Sequence, residues 1–209
     1  MKKMCLVSFA IACIVCFSCK KEKNTGSTYL MIVKEAKTNT PIPGVTIQLF
    51  KCSRYDDVFG CRSRALFATH VTDEKGEYRF DGELNAANEG VILKKSGYWD
   101  GSGGEGERFI VPLAWVDIHL TTQTDYPDTS SFQISASNGL AGESIGPFRP
   151  PKDSTIHLSL AGNDINQLSW SVFYQDPKCY LYCPRDSFAS GLFSITAAKH
   201  ETVKYELAY

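Results

Sequence analysis

The sequence has 209 residues, with 22 Lys and Arg against 23 Asp and Glu and a formal net charge of −1. That balance, with no basic stripe, excludes a nucleic-acid partner, which demands many cationic contacts to phosphate. The length is enough to bury one large core or two small ones. The chain opens Met1-Lys2-Lys3 and continues as an apolar run from Met4 to Phe17, broken by Ser8. That run is shorter than the about 20 apolar residues of a bilayer-spanning helix. Its positive start and its length are those of a secretory signal. Residues 20–27, Lys-Lys-Glu-Lys-Asn-Thr-Gly-Ser, are polar and read as a flexible tether.

Cys16-Phe17-Ser18-Cys19 resembles the lipobox of bacterial lipoproteins, in which a small residue precedes the cysteine that carries the lipid. The resemblance implies cleavage after residue 18 and acylation of Cys19, which becomes the first residue of the mature chain and its anchor in the outer membrane. Several acyl chains hold a protein where one would not, each buried methylene adding about 0.8 kcal/mol. Loss of Lys2 and Lys3 with the leader leaves the chain two charges more negative. The other readings are an ordinary cleaved signal, or Cys13-x-x-Cys16-x-x-Cys19 as a metal site, whose first two cysteines the cleavage removes. The residues after Cys19 are mostly basic; the missing acidic stretch favours the periplasmic face, and the surface face stays open.

Cysteine usage agrees with export. Beyond Cys19 the mature chain keeps Cys52, Cys61, Cys179 and Cys183, an even number that predicts two local disulfides, Cys52–Cys61 and Cys179–Cys183. Each would contribute about 2–4 kcal/mol. A four-cysteine zinc site is the competing reading and fits less well, since neither pair has the tight spacing of a zinc knuckle.

From Tyr29 onward strand signals dominate. Tyr29 to Val33 is a short buried run, and Val45, Ile47 and Leu49 alternate with polar neighbours. Ala65 to Thr72, Glu77 to Phe80, Val91 to Lys94 and Val116 to Leu120 read as further strands, separated by turn residues as in a sandwich. Residues 31–81 hold a more specific pattern: Pro41-Ile42-Pro43-Gly44-Val45, then Thr72-Asp73-Glu74-Lys75-Gly76-Glu77-Tyr78-Arg79-Phe80. This resembles the carboxypeptidase regulatory-like family of transthyretin-type β-sandwiches. Gly44 and Gly76 suit turns with positive φ, Asp73 can bond amides of its own turn, and Tyr78 and Phe80 share the core face. The resemblance implies a first sandwich over residues 28–121, of a kind that serves as an accessory folding or adhesion module. Ser96 to Glu107, Gly-rich with Tyr98 and Trp99, is expected to be an exposed loop.

Residues 121–130 turn polar and are read as a boundary. Beyond them Phe132 and Ile134, Ile156 to Leu160, Leu168 to Tyr174, Phe193 to Ala197 and Val203 to Leu207 alternate again. They predict a second small β-sandwich over 122–209. The fold class is therefore all-β throughout.

No motif carries catalysis convincingly. Gly142-Glu143-Ser144-Ile145-Gly146 matches the nucleophile elbow, but Pro147, Pro150 and Pro151 prevent the helix that motif needs, so it reads as a Gly/Pro loop. Gly101-x-Gly103-x-x-Gly106 precedes a strand-like run, not a helix, and reads as a flexible loop. His70, His119, His157 and His200 are scattered without ligand spacing, and Asp56-Asp57 and Asp125/Asp128 lack the density of a calcium loop. No catalytic residue, metal ligand or cofactor is assigned. The best binding candidates are loop aromatics, Tyr98, Trp99, Tyr180 and Tyr182, since loops on a rigid sandwich carry function and aromatics suit protein or sugar contacts. The reading is a non-enzymatic binding or scaffold lipoprotein of the outer membrane, with an envelope protein or glycan as partner. An envelope hydrolase with dispersed residues, and a surface or fimbrial assembly subunit, are the alternatives.

Overall fold

The computed structural model describes residues 28–56, 60–81, 89–102, 106–174 and 187–209. The leader, Cys19, the tether 19–27, and Cys179, Tyr180, Tyr182 and Cys183 lie outside them. Among the described residues there are fourteen strands and no helix, because the apolar residues recur with period two, which only a strand can bury on one face. In β8 (Leu113–Thr121), Ala114, Val116, Ile118 and Leu120 are fully buried, and the residues between them face outward.

The first sandwich is built from β1 (Thr28–Glu35), β2 (Thr46–Asp56), β3 (Gly60–Val71), β4 (Glu77–Asp81), β5 (Glu89–Lys94), β6 (Gly101–Ser102) and β7 (Gly106–Ile110). Its sheets run β4-β1-β7 and β3-β2-β5-β6, and Met31, Val33, Val45, Ile47, Leu93 and Ile110 close its core. The second uses β8, β9 (Ser130–Ser137), β10 (Gly142–Phe148), β11 (Asp153–Ala161), β12 (Asp164–Tyr174), β13 (Ser187–Ala197) and β14 (Thr202–Ala208). Its sheets run β11-β8-β14 and β10-β9-β12-β13 around Phe132, Ile134, Leu158 and Leu168, each worth about 1.5–3 kcal/mol when buried. Counted from its own first strand, each sandwich has the same order: fourth-first-seventh in one sheet, third-second-fifth-sixth in the other. In both, the first and last strands pair in parallel. The second sandwich repeats the first strand for strand.

The expected boundary at residue 121 is corrected. β8 pairs with β11 and β14, and its buried side chains lie in the second core, so the division falls at Val111-Pro112. The polar stretch near 121–130 is the connection from β8 to β9, within the second sandwich. Ser96 to Glu107 is not simply a loop either: Gly101–Ser102 extends one sheet and Gly106–Ile110 joins β1. The Gly142–Phe148 segment, expected as a Gly/Pro loop, is strand β10 with a cis Gly146-Pro147 bond, and it pairs with β9 across a register shift. The expected disulfide between Cys52 and Cys61 is present, with Cα atoms 5.6 Å apart, stapling the β2–β3 ribbon.

The two turn motifs of residues 41–45 and 72–77 meet in space. Thr72 is buried; its Oγ1 accepts a hydrogen bond from Val45 N at 2.9 Å and donates to Ile42 O at 3.1 Å. Asp73 Oδ1 accepts from the amides of Lys75 and Glu77, both at 2.9 Å. Gly76 takes φ +72°, and a Cβ there would stand 2.7 Å from Val33 O and 2.9 Å from Ile42 N. Gly76→Ala therefore suffers both left-handed strain and a backbone clash. It is expected to lower stability by about 2 kcal/mol or more in urea denaturation, whereas Lys75→Ala on the same turn stays within about 0.5 kcal/mol.

Candidate interaction surfaces

The two sandwiches are joined by Val111-Pro112 and by a polar clamp. Glu35, at the end of β1, is only 2% exposed. Its carboxylate accepts hydrogen bonds from Lys199 Nζ at 3.0 Å, Tyr98 OH at 2.9 Å and Thr38 Oγ1 at 3.2 Å. Lys199 lies between β13 and β14, so this acid of the first sandwich is neutralised by a base of the second. Burial acts to raise the Glu35 pKa, but the bonds from Lys199 and Tyr98 outweigh it and hold the carboxyl below its ordinary 4.5. Burial, then the neighbouring carboxylate, push the Tyr98 hydroxyl up to about 12. Lys37 pairs with Asp164 at 3.3 Å across the same seam.

Tyr98 and Trp99, expected as loop aromatics, are placed at this seam. Tyr98 bonds Glu35 and meets the His200 ring edge-on at 5.6 Å. Trp99 Nε1 donates to Leu160 O of β11 at 3.2 Å. Both are half-buried seam residues. Sequence reading missed this because their partners are distant in the chain, 61 to 63 residues away for the two hydrogen bonds.

The outer face of β11-β8-β14 is charged. His119 is flanked by two carboxylates, Glu206 at 2.7 Å from Nδ1 and Asp153 at 2.8 Å from Nε2. One rung away, His157 Nδ1 meets Asp117 at 2.7 Å. The bonds to Asp153 and Glu206 raise the His119 pKa above its ordinary 6.5. The strand alternation places both histidines outward, as the sequence implied. Their pairing needed the register, which sets Thr155, His119 and Glu206 side by side across the three strands. Among the described residues no group of three or more His, Cys, Asp or Glu is arranged to hold a metal ion.

The other sheet of the second sandwich, β10-β9-β12-β13, presents the opposite chemistry. Its four strands carry two charged residues, Glu143 and Asp164. Glu143 accepts from Ser159 N on β11, and Asp164 is held by Asn138 and Lys37. Over the middle of the sheet the outward positions are Ser, Thr, Gln and Gly, with Leu192 and Ile165 as exposed apolar knobs; at the end remote from the seam Tyr174 and Phe188 are exposed as well, while Phe173 and Ser131 are buried. Ser144 lies here. Its hydroxyl meets Ser135 Oγ at 2.8 Å and accepts from Gln133 Nε2 at 3.1 Å, neither of which is a base. At the pole remote from the seam, a shallow cleft of about 380 Å³ is lined by Asp128, Ser130, Phe148 and Arg149, with Arg149 paired to Asp128.

No family model matches the chain, and no curated protein matches it. Solved structures with a similar arrangement include the minor pilin GBS52 of Streptococcus agalactiae, 12% identical, with 88% of this chain and 95% of that one covered and a TM-score of 0.34. The shaft pilin SpaA of Lactobacillus rhamnosus GG is 11% identical, with 87% and 98% covered and a TM-score of 0.27. A leucine-rich repeat protein of Bacteroides thetaiotaomicron is 10% identical with a TM-score of 0.33, the match covering 87% of this chain and 26% of that one. Superpositions this loose say nothing of activity.

The seam and the charged face each yield a measurement. Because the folded Glu35 pKa is depressed, its contribution to stability is complete above about pH 4.5 and lost as pH falls through the folded value. Glu35→Gln is expected to flatten the acid limb of a melting-temperature profile. Lys199→Met, which strands the buried carboxylate, is expected to cost about 2 kcal/mol at neutral pH. For His119, an NMR titration is expected to show a pKa above 6.5 that falls back towards it in the Asp153→Asn, Glu206→Gln double variant; an unchanged titration would mean the carboxylates do not govern the ring.

Proposed function

We propose that this chain is a non-enzymatic binding or scaffold lipoprotein of the cell envelope, held at the outer membrane by acylated Cys19. The observation that carries the reading is the second sandwich's broad neutral sheet face, where Ser144 of the nucleophile-like motif sits among Ser135 and Gln133 on a strand paired with β9. Surfaces depleted of charge in this way suit contact with another macromolecule. Chain direction supports the arrangement. β1 starts at the pole away from the seam and ends at Glu35, while β14 ends beside Thr121 at the far pole of the second sandwich. A tether ending at residue 27 would then leave the first sandwich next to the membrane and raise the second above it.

The hydrolase alternative draws less support. The one histidine between two carboxylates stands on an open sheet face, with both ring nitrogens already engaged.

Metabolic labelling with an alkyne palmitate tests the anchor. Label is expected on the wild-type chain and absent from Cys19→Ala, with the precursor accumulating under globomycin. Normal processing under globomycin, with no label, would remove the lipoprotein reading. Glycan arrays, together with pull-downs from solubilised membranes, test the scaffold role; silence in both would count against it.

A further inference from the structure

We infer that the outward face of β10-β9-β12-β13 is the surface through which two copies of this chain pair, sheet face against sheet face about a twofold axis. The inference deepens the scaffold reading by naming what docks there.

Charge argues first. Exposed protein surfaces ordinarily mix both signs of charge, and the cores of interfaces are depleted of it. The opposite sheet follows the surface rule, with Asp117, His119, Asp153, His157, Lys204 and Glu206 turned outward. The β10-β9-β12-β13 face follows the interface rule, since Glu143 and Asp164 are both engaged elsewhere. In a chain of net negative charge, this is the side of the second sandwich on which two copies can meet without bringing like charges together.

The chemistry of the face is self-complementary. Ser hydroxyls and Gln amides, as at Ser135, Gln167, Ser169 and Ser194, each both donate and accept. A twofold axis sets the same groups against each other, which is what an isologous contact requires. Leu192 is 71% exposed and lies across from Ser169 in the ladder. The small side chains around it leave room for the leucine of a second copy.

Size permits a small interface: four strands about 4.8 Å apart and about nine residues long offer on the order of 600 Å² in projection, the low end of the about 600–1,000 Å² per partner of a standard interface. Over the middle of the sheet a sugar is a poorer fit, because saccharide platforms stack rings on aromatics, and the outward positions from Gln167 to Ser171 and from Ser190 to Thr196 carry none; the exposed aromatics of these strands, Tyr174 and Phe188, stand together at one end. Phe188, at the end of β13, leans on Tyr126 with ring centroids 6.3 Å apart.

Sedimentation of the chain beyond its leader, with Cys19→Ser so that no acyl group assembles micelles, tests the pairing. A dimer is expected at concentrations of about 10 µM. Leu192→Lys and, separately, Ser169→Glu are each expected to weaken it at least about tenfold, while Thr155→Glu on the opposite face leaves it unchanged. Circular dichroism and thermal melts report whether each variant folds, and Leu192→Lys, at a highly exposed position, reads the same interface should Ser169→Glu fail to. A monomer at up to about 100 µM, or a dimer indifferent to both face variants, overturns the inference. So would binding of a neutral oligosaccharide by a monomer in a manner abolished by Ser169→Glu. Failure of palmitate labelling would leave the pairing untouched, and a monomer would leave the anchor untouched.

Discussion

A carboxylate withdrawn from water must be met by partners wherever it is buried, and Glu35 is buried at the seam between two separately cored sandwiches. Its partners come from both: Tyr98 and Thr38 from the first, Lys199 from the second. Removing water from the acid therefore ties one unit to the other at a defined angle, because a rotation about Val111-Pro112 would strand the charge. Backbone bonds add to the tie, Gly162 N to Pro112 O and Leu113 N to Gly97 O among them. The direction in which each face of the second sandwich points follows from that clamp.

The strand-for-strand repetition shows how one topology was given two surfaces. Both sandwiches bury alternate residues in the same seven-strand order, and burial constrains only the inward half of each strand. The outward half is free to differ. In the second unit it divides sharply, with acid–histidine pairs over one sheet and hydroxyls and amides over the other. The fold supplies rigidity and parity; the chemistry is written on the residues that parity turns outward.

Much of the fold could be read from the chain because period-two alternation is a local signal. The strands around Ile47, Phe80, Val116, Leu158 and Leu168 are where alternation puts them. The Thr72 to Phe80 turn also behaves as its residues dictate, through Asp73 and Gly76. Which sheet a strand joins is a different kind of fact. Nothing within Leu113–Thr121 says that it pairs with residues 153–161 and 202–208, and so composition alone sets the boundary one strand too late. The same limit hid the seam, where Tyr98 and Trp99 look like exposed loop aromatics until their distant partners are known. The neutral face is visible in the chain as uncharged, mostly small polar residues at alternate positions, but its continuity across four strands requires the register.

The parallel pairing of first and last strands has a mechanical meaning. Tension between Thr28 and Tyr209 would enter each sandwich along its first strand, β1 or β8, and leave along its last, β7 or β14. In both units those two strands are neighbours running the same way. Their hydrogen bonds would be loaded together in shear, not peeled apart singly, so a molecule moored at one pole and gripped at the other would resist stretching at two places in series.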